Sequence, residues 1–235
     1  MSKSKQEAIQ EVVHANHILY LKKIVDGFGH VSVRNPENPN TYLLSCNRAP
    51  NLVRREDIVE LDLDSKPVQD EGKRLYLERF IHGELYKARP DVQAIVHSHS
   101  SAMITLAATP VMPKPLFHMA GFLSRLAKFD IAEATGRDTD MLIRDPELGR
   151  HLAESLGPAN AVLMVGHGST VVGGSIEETI YRAIYGEINA AMQIQALGIS
   201  SDIRYLTETE GKLADETNRG QLRRCWDLWV AEVSE

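Results

Sequence analysis

The sequence predicts a layered α/β domain, and three observations carry that expectation. Helical and alternating segments interleave along the chain, which argues for helices packed on a sheet that is not purely parallel. Turn-forming clusters such as "NPENPN" and "GHGS" separate neighbouring apolar runs in the manner of hairpins. No repeat, low-complexity tract or long Gly/Ser/Pro linker divides the 235 residues, so one domain over 1–235 is expected.

Each element has its own signal. "KQEAIQEVVHANHILYLKKI" spaces Ile9, Val12, Val13, Ile18 and Leu19 at helical intervals, and "DGFG" stops it. "HVSVR" and "TYLLS" read as strands on either side of the "NPENPN" turn. "REDIVELDLD" begins with helix-starting acids and then alternates Ile58, Leu61 and Leu63, which suits a strand. "LYLERFIHGELYKARPD" is a helix ended by Pro90, "VQAIVHSHS" a strand and "SAMITLAAT" the helix after it. "DPELGRHLAESLG" is a helix with Gly157 as its cap. "AVLMVGHGSTVVGG" forms a hairpin around "GHGS". Ser175 and Glu178 form a capping-box pattern at the start of the long helix "IEETIYRAIYGEINAAMQIQAL", and the segment from Thr207 is mostly helical.

Composition narrows the function classes. The start of the chain lacks the basic, apolar and small-residue regions of a signal peptide, and no apolar run approaches bilayer length. Two cysteines, Cys46 and Cys225, are too few for a disulfide framework and fit a reducing cytoplasm. A net charge of −6 argues against nucleic acid as the main partner. An anionic substrate would therefore be drawn by a local basic cluster rather than by the global field.

The chemistry-bearing feature is "AIVHSHSS", residues 94–101. A strand alternates its faces with period two, so His97 and His99 point the same way and can close on one point. His167 lies between two glycines at a hairpin tip, where its side chain can project freely. Glu78 belongs to the helix before the His-x-His strand. Three imidazoles and a carboxylate make a complete shell for a divalent metal, and the ligand types alone fit zinc, manganese or iron. Singly, each residue has an ordinary reading: a hydrogen-bonded structural histidine, a turn histidine, a solvated helix glutamate. Spacing alone does not bring the four together.

Three blocks in register resemble the class II aldolase/adducin family: "DGFGHVSVR", "LERFIHGELYKARPDVQAIVHSHS" and "VLMVGHGSTVVGGSIEETIYRA". They run in the family's order from about Val25 to Leu197. The resemblance implies a three-layer α/β/α fold with a mostly antiparallel central sheet. It also implies a homotetramer with active sites at subunit interfaces. Glu78, His97, His99 and His167 fall where the family holds its catalytic metal, and the carboxylate there can also move a proton.

The sequence departs from the sugar-phosphate aldolases of that family. Where they cradle phosphate with a Gly-Asn turn, a Thr-Gly turn and a Ser-Ser pair, this chain has Gly29-His30, "SCNRAP" and Tyr76-Leu77. Phe129 stands where the acid/base tyrosine is expected. "GHVSVR", "RAPNLV", "YLERFIHGELY" and "FHMAGFL" resemble instead the family's decarboxylase branch, which acts on hydroxylated aromatic dicarboxylates. Retro-aldol cleavage and decarboxylation both release a carbanion equivalent beside an oxygen, and both need a Lewis acid there.

The resemblance to that branch implies 3-hydroxy-2-methylpyridine-4,5-dicarboxylate as the substrate, with 3,4-dihydroxyphthalate as the near rival. Mn(II) is the favoured metal, Zn(II) and Fe(II) are alternatives, and no organic cofactor is expected. His118 is the expected proton donor, with Glu78 as its alternative. Arg48 and Arg79 are the expected contacts for the retained carboxylate, and His30 a further substrate contact. An ordinary capping or surface reading stands beside His118. Arg79, one residue after Glu78, points about 100° away around a helix. Competing functions are a sugar-phosphate aldolase, a non-haem iron oxygenase and a metal-free, adducin-like interaction module. Tyr181, Tyr185, Trp226 and Trp229 read as core or interface residues.

Overall fold

A computed structural model describes residues 3–234. Ser4 caps the first helix, α1 (Lys5–Leu21), through a reciprocal capping box with Glu7. Strands β1 (His30–Arg34), β2 (Thr41–Ser45) and β3 (Ile58–Asp62) follow as antiparallel neighbours. Helix α2 (Arg79–Ala88) leads into β4 (Ala94–Ser98) and α3 (Ser101–Ala107). A 3-10 stretch over His118–Ser124 precedes β5 (Leu126–Phe129), α4 (Ile131–Thr135) and α5 (Pro146–Leu156). The hairpin of β6 (Ala161–Met164) and β7 (Gly168–Gly173) feeds α6 (Ile176–Ile199). Helices α7 (Glu208–Arg219) and α8 (Leu222–Ser234) end the chain.

The strands form one seven-stranded sheet in the order β3-β2-β1-β4-β7-β6-β5. All neighbours are antiparallel except β5 and β6, so the mostly antiparallel expectation holds and the sheet is mixed. The period-two alternation of side chains divides the interior into two cores. Val31, Val33, Leu43, Ala94 and Val96 pack against α1, α6 and α8, with Trp226 and Trp229 buried among them. Tyr42, Leu44, Ile95, Val162 and Val172 pack on the opposite side against Ile81 and Leu85 of α2 and Leu148 and Leu152 of α5. Each fully buried Leu or Ile contributes about 1.5–3 kcal/mol of apolar transfer. This is the three-layer α/β/α arrangement. No helix among the described residues is long and apolar enough to cross a membrane.

One boundary and one cap differ from expectation. Helix α2 starts at Arg79 rather than near Leu75. The Tyr76 hydroxyl bonds to Ser45 Oγ and the Arg48 carbonyl, which holds this stretch extended against β2. At α6, Ser175 Oγ accepts from the Glu178 N–H at 3.2 Å, as a capping box requires. The Glu178 carboxylate, however, takes the Gly174 N–H at 2.6 Å and Arg182, so the reciprocal bond lands one residue early.

Candidate metal centre

The alternation that fills the cores also builds the site. Because Val31, Val33, Ala94 and Val96 face α1 and α6, the intervening His30, Ser32 and His97 face the α2 side. His30 and His97 pair directly across β1 and β4, with ring centroids 5.1 Å apart. Strand β4 ends at Ser98, and His99 follows it with its ring turned edge-on to that of His97. His167 stands at the β6–β7 turn. Its neighbour Gly168 runs so close to β4 that a Cβ there would overlap the Ser98 carbonyl oxygen.

Glu78 occupies the N-cap position of α2 rather than a place within the helix. Its Oε1 accepts the Ile143 N–H at 2.9 Å. Its Oε2 lies 3.4 Å from His167 Nε2 and 3.8 Å from His97 Nε2. His97 Nε2 and His99 Nε2 are 3.2 Å apart. One donor atom from each of Glu78, His97, His99 and His167 falls within 4.8 Å of the others. Metal–ligand bonds of about 2.0–2.2 Å set donor separations of about 3–4 Å, and the 3.2, 3.4 and 3.8 Å separations fall in that range.

The residues fit a divalent cation on two further grounds. Both ring nitrogens of His167 are buried without a hydrogen-bond partner, an arrangement that costs about 1–3 kcal/mol per group unless something satisfies it. Thr170 Oγ1 lies 3.3 Å from His97 Nδ1, an acceptor that leaves the Nε2 lone pair directed at the cluster. Protonation states point the same way. Burial holds His97 well below the ordinary imidazole range, against the opposing charge of Glu78. Burial also lowers His99. Burial works to raise the Glu78 carboxyl, but the flanking His167 and His97 and the Ile143 N–H outweigh it and bring it to about 2. A carboxylate beside imidazoles that burial keeps from protonating, as at His97 and His99, is the form that binds a cation.

Beside the cluster stands a wall of rings. His30 lies between His97 and Tyr76, 4.8 Å from the Tyr76 ring. Its Nδ1 is 2.7 Å from His82 Nε2, and His82 Nδ1 is 2.6 Å from Ser32 Oγ, which meets Tyr86 OH at 2.8 Å. Burial lowers His82 to about 3. Sequence reasoning missed His82 and Tyr86. Their signal was present, since Glu78, His82 and Tyr86 recur every four residues along one helix face. On the other side, Phe28 is 70% exposed with its ring 6.5 Å from His99. A groove of about 420 Å³ runs from His99 along Tyr20, Leu21, Lys23 and Asp26.

The remaining expected contacts are placed differently. Arg79 spends its guanidinium on the Ser65 and Tyr76 carbonyls and stacks on Phe80, so it braces the entry to α2 and is not presented to the cluster. His118 is exposed, and its carbonyl accepts from Asn218 of α7. Its neighbours Phe117 and Met119 pack on the α1/α6/α8 core, across the sheet from α2, so one chain does not bring His118 to the metal centre. Arg48 directs Nε at the Leu52 carbonyl and Asp57. Its carbonyl accepts from Tyr76, which links it to the ring wall.

A family model described as the class II aldolase and adducin N-terminal domain matches residues 10–194. The chain belongs to the class II aldolase/adducin family. Within this family it is similar to Decarboxylase tropJ of Talaromyces stipitatus, at 39% identity over 96% of this chain and 93% of that one. It is also similar to the 3,4-dihydroxyphthalate decarboxylase of Arthrobacter keyseri, at 25% identity over 97% of this chain and 94% of the relative. In fold it resembles the crystal structure of an aldolase II superfamily protein from Pseudomonas syringae. The TM-score is 0.82 at 20% identity, covering 99% of this chain and 94% of the other.

Proposed function

We propose that this chain is a metal-dependent aromatic decarboxylase that releases CO2 from a ring bearing a hydroxyl group and adjacent carboxylates. The observation that carries the reading is the joint placement of the four-ligand cluster and the His30–Tyr76 ring wall. By the family resemblance, His30 and Tyr76 occupy positions at which the sugar-phosphate aldolases carry the small residues of a phosphate cradle. The full-length similarity to two proteins named decarboxylases supports the same class. The substrate we favour is 3-hydroxy-2-methylpyridine-4,5-dicarboxylate, with 3,4-dihydroxyphthalate as its rival, and Mn(II) as the metal.

When bound, a divalent cation would serve as a Lewis acid toward charge developing on a ring oxygen as the carboxyl group leaves. Glu78, His97, His99 and His167 would hold it. Glu78 is ionised at rest, so it can donate a proton only after accepting one; the substrate hydroxyl is the source we assign. With Oε1 fixed on Ile143, Oε2 faces the cluster; it would have to exchange its hold on the cation for the proton before passing that proton to the ring carbon losing CO2. Among the described residues, neither terminal amino group of Arg48 has a protein partner, which suits a retained carboxylate. Phe28 offers an aromatic face to the substrate ring. His118 would reach a cluster only from a neighbouring subunit, in keeping with a tetramer whose active sites lie between chains. The exposed Tyr20, Leu21 and Phe28 around His99 support an interface there. Both cysteines are free thiols, which supports a cytoplasmic setting.

The test is a panel of hydroxylated pyridine and phthalate dicarboxylates assayed with Mn(II) for CO2 release, with and without oxygen. Release without oxygen that chelator and His97→Ala both abolish supports the proposal. Turnover of L-fuculose 1-phosphate with no aromatic acid consumed would replace it with an aldolase, and Fe(II)-dependent oxygen uptake with an oxygenase.

A further inference from the structure

The three polar groups behind the ring wall run to His30 with a direction. Tyr86 and Ser32 are enclosed on the α2 side of β1, and His82 is wholly buried between Ser32 and His30. The Tyr86 hydroxyl has one hydrogen-bond partner among the described residues, Ser32 Oγ. Over its ring lies the Arg34 guanidinium, 4.7 Å from the centroid, and a guanidinium accepts nothing. The phenolic hydrogen therefore goes to Ser32. Ser32 Oγ, already accepting, has its own hydrogen to give, and the remaining partner is His82 Nδ1. His82 then carries its proton on Nε2 and donates it to His30 Nδ1. His30, with Nδ1 accepting, carries its proton on Nε2. The opposite polarity would leave the Tyr86 hydrogen buried with nowhere to go.

We propose that Tyr86, Ser32 and His82 form a one-directional hydrogen-bond chain that fixes His30 as its Nε2–H tautomer. His30 thus meets an anionic oxygen of the substrate as a donor, not as a base. The substrate contact rests on the decarboxylase reading above; the polarity of the chain does not. His82 is a positioning residue in this scheme, acting through His30. A neutral donor held in place stabilises negative charge on a carboxylate or ring oxygen without reorganising during the reaction. It also leaves the moving proton to Glu78, so two groups beside one substrate do not compete for it.

The experiment reads the tautomer directly. Chelator-treated protein labelled with 15N in its histidine rings is examined by long-range proton–nitrogen correlation, with His30 assigned by its loss in His30→Gln. The expected spectrum shows a protonated Nε2 and an unprotonated Nδ1 for His30. A proton on Nδ1 overturns the chain. In His82→Gln the amide can offer either its oxygen or its nitrogen, so the fixed direction is lost. His30 should then populate both tautomers, and kcat should fall about tenfold or more while bound metal per chain is unchanged. A His82→Gln enzyme with wild-type kcat and a mixed His30 tautomer would overturn the catalytic part. The spectrum needs no turnover, so the two ideas fail separately. The expected tautomer in a protein that decarboxylates no aromatic acid sinks the reading of function, and with it the substrate contact.

Discussion

Acid should destabilise this fold earlier than ordinary carboxylate protonation would, and His82 supplies a share that can be isolated. The side chain is wholly buried, and burial lowers its pKa from 6.5 to about 3, against a smaller opposing effect of Glu78. Between those values the unfolded chain binds a proton that the folded chain refuses, so stability is complete above pH 6.5 and falls as pH drops. At about 1.4 kcal/mol per unit, lowering the pH from 7 to 5 removes about 2 kcal/mol through this residue, and about 4 kcal/mol by pH 3. His30 and His97, also held low by burial, add losses of the same sign. The assay is urea unfolding of metal-free protein at pH 7 and pH 5, at one protein concentration, for wild type and His82→Gln. The wild type should lose about 2 kcal/mol more than the variant between the two pH values. Equal losses would show that His82 does not resist protonation in the folded chain, and the reasoning from its burial would be wrong.

Other outcomes follow from the same geometry. Glu78→Gln keeps an oxygen for the Ile143 N–H but removes the charge facing the imidazoles. It should bind Mn(II) at least tenfold more weakly by titration, with a melting temperature of the metal-free protein near that of wild type. Gly29 has φ 93°, and a Cβ there would stand 2.5 Å from Val25 Cγ1 and 3.1 Å from the His97 carbonyl oxygen. Gly29→Ala should cost about 1–3 kcal/mol in urea unfolding and weaken metal binding by moving His97. Phe28→Ala should raise KM severalfold for an aromatic substrate with little change in kcat, because the ring is exposed and lies outside the cluster.

The elements with a strong local signal were legible. Alternation located β1, β2 and β4, helical period located α1 and α6, and the GHGS turn located the β6–β7 hairpin. Strand β5 was not legible, because "LAKF" is four residues long and owes its form to parallel pairing with β6, some 35 residues on. The start of α2 was misjudged because Leu75, Tyr76 and Leu77 continue the apolar pattern, while a hydroxyl bond from Tyr76 to another loop decides their conformation. The cluster itself was legible through the His-x-His spacing and the family likeness. Its supports were not: the Ile143 N–H on Glu78 is a backbone contact across 65 residues, which no side-chain pattern encodes. Arg79 was misplaced because sequence gives a charge without saying which carbonyls will take its hydrogens.

Metal content measured together with CO2 release tests the central claim most directly. Purified protein should carry one divalent cation per chain, and chelation, or replacement of His97 by alanine, should remove that cation and the decarboxylation with it. Undiminished CO2 release from protein shown by elemental analysis to hold no metal would contradict the account.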